Sequence, residues 1–152
     1  MKPVQTFPTV ADARRAILAA AAPGSTWRST GAWSLAQVFT HAAQSVEFSL
    51  KGFPQPKPAL FQQTLGRAAF SWFDSRGAMS HGLAEAIPGA EPLPANLALD
   101  QAAARLLASM DAFESHSGPL APHFAYGALD KAAYTRAHLM HLANHWTEVV
   151  QG

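Results

Sequence analysis

The sequence has 152 residues, of which 49% are hydrophobic and 14% charged. That suits one domain with a buried core and excludes a disordered chain. A formal net charge of +1, from 11 Lys and Arg against 10 Asp and Glu, gives no basic field for nucleic acid or an anionic membrane. The absence of cysteine excludes disulfides, thiolate metal sites and cysteine nucleophiles.

The first residues, Met1 to Pro8, contain no apolar run, and Asp12 follows soon after. This pattern predicts no targeting segment and a cytoplasmic protein. Thr9 and Asp12 have capping-box spacing, so a first helix is expected from Val10 to Ala22, stopped by Pro23-Gly24. Ser34 and Gln37 form a second such pair ahead of a helix over Leu35 to Lys51, closed by Gly52 and Pro54. Leu35, Val38, Phe39, Ala42, Val46 and Leu50 supply its apolar stripe.

Pro54, Pro56 and Pro58 predict a stiff connector. A third helix is expected over Ala59 to Ser75, with Leu60, Phe61, Leu65, Ala68, Ala69, Trp72 and Phe73 facing inward, ending at Arg76-Gly77. Met79 to Pro94 is rich in Gly and Pro and reads as a long irregular crossover, a kind of segment that is often functional. A fourth helix is expected over Leu97 to Ser115. The last starts near Leu129 or Asp130 and runs through Val150. No strand is expected, because nothing alternates over more than a few residues. The predicted class is all-α: a four-helix bundle with a long crossover between the middle helices and one or two short extra helices.

Seven histidines carry the chemistry. His141 and His145 are four apart, hence about 40° apart on a helical wheel and one turn along the same face. His138 joins that stripe, with Tyr134 and Glu148 inside it. Leu139, Leu142, Ala143, Trp146 and Val150 form an overlapping apolar face, so the histidine stripe borders the core. On the second helix, His41 lies beside the apolar stripe, with Gln37 and Ser45 one turn below and above. If both stripes are buried, the flanking histidines meet at a common seam. Two His at i and i+4 can chelate one ion, and one His from a facing helix completes a triad with positions left for water or substrate. Neutral imidazole suits Zn²⁺, Ni²⁺, Cu²⁺ or Fe²⁺. The candidate ligands are His41, His141 and His145. His138 could be an outer ligand, a proton relay or a packing residue. A single H-x-x-x-H is weak by itself, since half-buried helix histidines are common. Leu142 excludes the H-E-x-x-H of zinc proteases.

The segments Trp33-Ser34-Leu35-Ala36-Gln37-Val38-Phe39-Thr40-His41-Ala42-Ala43-Gln44-Ser45 and Ser49-Leu50-Lys51-Gly52-Phe53-Pro54 carry a family resemblance. So does Tyr126-Gly127-Ala128-Leu129-Asp130 leading into His141-Leu142-Ala143-Asn144-His145. Together they resemble the DinB/YfiT-like superfamily, in a bacterial branch labelled a domain of unknown function. The resemblance implies a DinB-type four-helix bundle, often a homodimer. It implies a divalent metal, Zn²⁺ or Ni²⁺, held by His41, His141 and His145. It also implies a small-molecule ligand and, in metal-dependent transferases and isomerases of this kind, a small thiol cosubstrate. Relatives often carry a second His just before the last ligand and a Gln three residues after it. Here those positions hold Asn144 and Glu148, and Glu148 could anchor an imidazole or be an exposed charge.

The remaining motifs are less pointed. Trp27, Trp33, Trp72 and Trp146 read as core or seam anchors. His123-Phe124-Ala125-Tyr126 lies in a loop that could roof a pocket. Arg28, Lys51, Arg67 or Arg136 could hold the carboxylates of a thiol cosubstrate. His81 and His116 fall near the ends of elements. No G-x-S-x-G, dinucleotide fingerprint or phosphate loop is present. Two function classes follow: a metal-dependent transferase or hydrolase, and a non-catalytic bundle with a structural or vacant metal site.

Overall fold

A computed structural model describes residues 6–152; Met1 to Gln5, on which part of the targeting expectation rests, lie outside the described residues. The chain is mostly helical. Helix α1 spans Val10–Ala21, α2 Leu35–Lys51, α3 Ala59–Phe61, α4 Arg67–Arg76, α5 Leu99–Ser115 and α6 Lys131–Trp146. Their starts follow from side-chain caps. Thr9 and Ser34 both close reciprocal capping boxes, with Asp12 and Gln37. Asp130 accepts from the Ala133 amide at 2.8 Å. Each cap satisfies amide groups that the first turn leaves without partners.

Helix α1 packs on α5 and α6, and α2 packs on the same two helices. Ile17, Val38, Phe39 and Leu106 are fully buried where they meet. Trp146 fills the base of this core, with Phe7 edge-on at 5.4 Å and Phe39 stacked at 6.0 Å. Glu47 on α2 holds Arg105 on α5 with two hydrogen bonds of 2.7 and 3.0 Å. No helix among the described residues is long and apolar enough to cross a membrane.

The all-α expectation needs one correction. Strands β1, Trp27–Ser29, and β2, Val149–Gln151, pair antiparallel, with Arg28 opposite Val150. Three residues per strand are too few to show alternation, so the pairing leaves no periodic mark. It also shortens the last helix. Instead of running through Val150, α6 stops at Trp146, and the β-branched Val149 and Val150 are taken into the ribbon.

The third helix departs from its predicted face for a clear reason. Between α3 and α4 lies a π-helical turn, Gln62–Gly66, which inserts one extra residue into the helical repeat. The inward face then reads Phe61, Gly66, Phe70 and Phe73. Leu60, Leu65 and Trp72 turn outward and are 74%, 68% and 61% exposed. Trp72 is therefore no core anchor; Arg76 sits over its ring at 5.5 Å. Gly66 lets this helix approach the loop before α6, since a Cβ there would lie 1.7 Å from the Ala125 carbonyl oxygen. Backbone cannot yield as a side-chain tip can. Gly66→Ala is expected to destabilise the fold by about 2 kcal/mol or more, in the manner of an overpacked core, measured by urea unfolding. An unchanged midpoint would contradict this packing.

The crossover 77–98 is irregular, as expected, and it is fastened over the α2–α6 seam. Gln37 donates to the Leu93 carbonyl and Gln44 to the Glu91 carbonyl, both at 3.0 Å. The crossover's own Met79 and Ile87 are buried.

Candidate metal centre

The α2–α6 contact brings His41 against His141 and His145. The candidate ligand nitrogens of the three lie within 4.8 Å of one another, and the Nε2 atoms of His41 and His141 are 3.0 Å apart. A tetrahedral ion with metal–nitrogen bonds of about 2.1 Å separates its ligand atoms by about 3.4 Å. The cluster is thus near the size a single ion needs. The ring centroids are 4.8 to 5.0 Å apart, and the rings stand at steep angles to one another.

Burial makes the site sharper. His41 and His145 are 2% and 1% exposed. His41 Nδ1 and both ring nitrogens of His145 are buried without a hydrogen-bond partner. Leaving a buried polar atom unpaired costs about 1–3 kcal/mol, so a fold that retains three such atoms in one cluster has a use for them. Burial pushes His41 down to about 3, helped by the proximity of His145 and His81. Burial likewise lowers His145 to about 4, and His141 well below its usual value. All three are neutral at pH 7, which is the form that ligates metals. Orientation comes from packing. The Trp33 ring is stacked on His145 at 5.9 Å and tilted against His41 at 4.9 Å. Trp33 is therefore the seam anchor that the sequence suggested.

A cavity of about 330 Å³ opens beside the cluster. His41, Ser45 and His141 form its floor, and His123, Phe124, Ala125 and Tyr126 form part of its wall, so the loop before α6 does border the pocket. His123 Nδ1 accepts from the amides of Ala125 and Tyr126, at 3.1 and 3.2 Å. In the neutral ring its Nε2 therefore carries the proton. His138 lies outside the triad. Ser49 donates to the Val46 carbonyl, so His138 Nε2 donates to the Ser49 oxygen at 3.2 Å. Its ring stacks on Tyr134 at 5.3 Å, and burial lowers it to about 3.

Other expectations resolve differently. Glu148 makes no hydrogen bond to an imidazole; its carboxylate lies against Gly31. Asn144 donates to the His81 carbonyl at 3.5 Å. None of Arg28, Lys51, Arg67 and Arg136 lines the cavity; Arg136 is held by Asp74 through bonds of 2.7 and 3.0 Å. The cation at the cavity is Lys57, missed because it sits in the proline connector with no periodic partner. His116 caps the C-terminal end of α5 and donates to the Pro119 carbonyl at 3.0 Å, far from this chemistry.

No curated protein and no solved structure matches the chain. Residues 4–152 match the family model described as "Protein of unknown function (DUF1569)". The match spans both histidine-bearing helices and the crossover between them, and the chain belongs to the DUF1569 family.

Proposed function

We propose that this protein is a divalent-metal enzyme of DinB-like bundle type, with Zn²⁺ or Ni²⁺ held by His41, His141 and His145. The observation that carries the reading is the convergence of three neutral imidazoles, from helices a hundred residues apart, with His145 buried and unpaired at both nitrogens. The donor set fits the ion. Three neutral nitrogens from two helices leave a position open, which distinguishes catalytic sites from closed structural ones.

An ion in such a site lowers the pKa of a thiol or water that reaches it and polarises a carbonyl. The chain's own residues supply the rest. The three ligands are neutral and Glu85 is the one carboxylate residue among those lining the cavity, so a divalent charge there would remain in excess and favour an anionic ligand. That supports a small thiol, bound as thiolate, as cosubstrate. Lys57 attracts the carboxylates of such a molecule, and His123 Nε2 offers a fixed donor. Phe124, Met79 and Ile87 give the cavity an apolar wall for the electrophilic partner. Hydrolysis is the second reaction compatible with the same site. The cavity favours an enzyme over a structural metal, because a purely structural ion needs no adjoining space for substrate.

Metal analysis of protein purified without chelator or affinity tag is expected to find about one divalent ion per chain. Thiol–electrophile and ester panels are expected to show turnover that chelation removes and the metal restores. A chain that neither purifies with nor takes up an ion would overturn the reading.

A further inference from the structure

A fourth imidazole stands next to the triad. His81 comes from the crossover, and its ring centroid lies 5.3 Å from His141 and 5.9 Å from His145. Within the triad the separations are only slightly smaller, at 4.8 to 5.0 Å. His81 Nδ1 faces the Gly82 carbonyl at 3.2 Å. A carbonyl can only accept, so Nδ1 carries the proton and Nε2 keeps its lone pair, which is the ligating arrangement. The backbone is fixed on the helix that bears two ligands, through the Asn144 bond to the His81 carbonyl. Asn144 thus stands behind His81 and outside the ligand set.

We propose that His81 is the fourth, exchangeable ligand of the ion at the triad, bound when the cavity is empty and displaced when a substrate donor atom arrives. The inference rests on the metal reading of His41, His141 and His145. The place of His81 in the fold makes it exchangeable. It comes from an irregular segment, while the other three are fixed on helices. Like His141 it is half-buried, while His41 and His145 are almost fully enclosed. It lines the 330 Å³ cavity, so a molecule entering there meets His81 on its way to the ion. Its ring lies outside the set of ligand atoms grouped within 4.8 Å, so a short side-chain swing separates the bound and free positions, and no helix has to move. The exchange is ligand for ligand: one neutral imidazole leaves as one substrate donor binds, with no electron transfer.

The test uses the full chain loaded with Co²⁺, whose visible spectrum reports coordination, and azide as a small anionic probe. His81→Ala is expected to weaken Co²⁺ binding by about 10- to 100-fold, in the range lost when a supporting partner of a metal site is removed. The variant's spectrum should differ from that of the wild type, while circular dichroism stays unchanged. Azide should alter both spectra, saturating at a concentration at least tenfold lower in His81→Ala. Equal affinity and identical spectra would overturn the proposal. So would a wild-type spectrum that azide leaves untouched while the variant responds, because His81 would then be a permanent ligand. A wild-type chain that binds no Co²⁺ at all would instead overturn the triad, and this inference with it.

Discussion

Replacing His145 with leucine is expected to move metal affinity and stability in opposite directions. Affinity for Zn²⁺ or Ni²⁺ should fall by more than ~100-fold, beyond what loss of an outer partner costs, because the substitution removes one of three helix-borne ligands. The metal-free chain, in contrast, should become more stable by about 1–3 kcal/mol, since both ring nitrogens of His145 are buried without partners and leucine removes that penalty at similar volume. Stacking on Trp33 is lost, which reduces the gain without reversing it. Thermal unfolding in chelator and metal titration of the same two proteins separate the effects. A leucine variant that melts well below the wild type in chelator, and still binds metal as tightly, would show that His145 is a packing residue.

The second large effect is acid sensitivity of the metal-free protein. His41, His123 and His138 are each lowered to about 3 and His145 to about 4, in every case by burial first. His141 is lowered well below its usual value by the same cause. In the unfolded chain these side chains protonate near pH 6.5. Between about pH 6.5 and 4 the unfolded state therefore binds protons that the folded state refuses. Stability is fully present above pH 6.5 and is lost as pH falls. His41 and His145 are the most enclosed, and two such groups give a slope of about 2.7 kcal/mol per pH unit. His123, His138 and His141 line the cavity and are reached by solvent, so their shares are smaller. For a domain of ordinary stability, about 5–15 kcal/mol, the chelated chain is expected to unfold above pH 4, taking up between about two and five protons. Saturating metal should shift the midpoint to lower pH, because protons and metal compete for the same nitrogens. A chelated protein with the same denaturant midpoint at pH 7 and pH 4.5 would refute this.

Much of the molecule could be read from sequence because it is built from local, periodic rules. The capping boxes at Thr9 and Ser34 are written within four residues, and each appears where the spacing puts it. The triad was legible for the same reason. His141 and His145 share a face through helical geometry, and the apolar stripe beside His41 forces its helix against theirs.

What escaped prediction depends on contacts that leave no periodic trace. The pairing of Trp27–Ser29 with Val149–Gln151 joins two three-residue segments more than a hundred positions apart. The π turn at Gln62–Gly66 rotates Leu65 and Trp72 out of the face that an uninterrupted helix would give them. Gly66, close against the Ala125 carbonyl, was the one available hint of a tight approach. His81 and Lys57 reach the cavity from irregular connectors, where spacing carries no directional information. Asn144 looked like a lost histidine and instead ties the crossover to α6.

The most direct measurement is a titration of chelator-stripped protein, labelled with ¹⁵N in its histidine rings, with Zn²⁺. The ring signals of His41, His141 and His145 should move together, with His81 following them if it is the fourth ligand, and the changes should be complete at one ion per chain while those of His116 stay in place. Changes that spread across unrelated histidines, continue past one equivalent or spare any one of those three would contradict a single ion bound between the two helices.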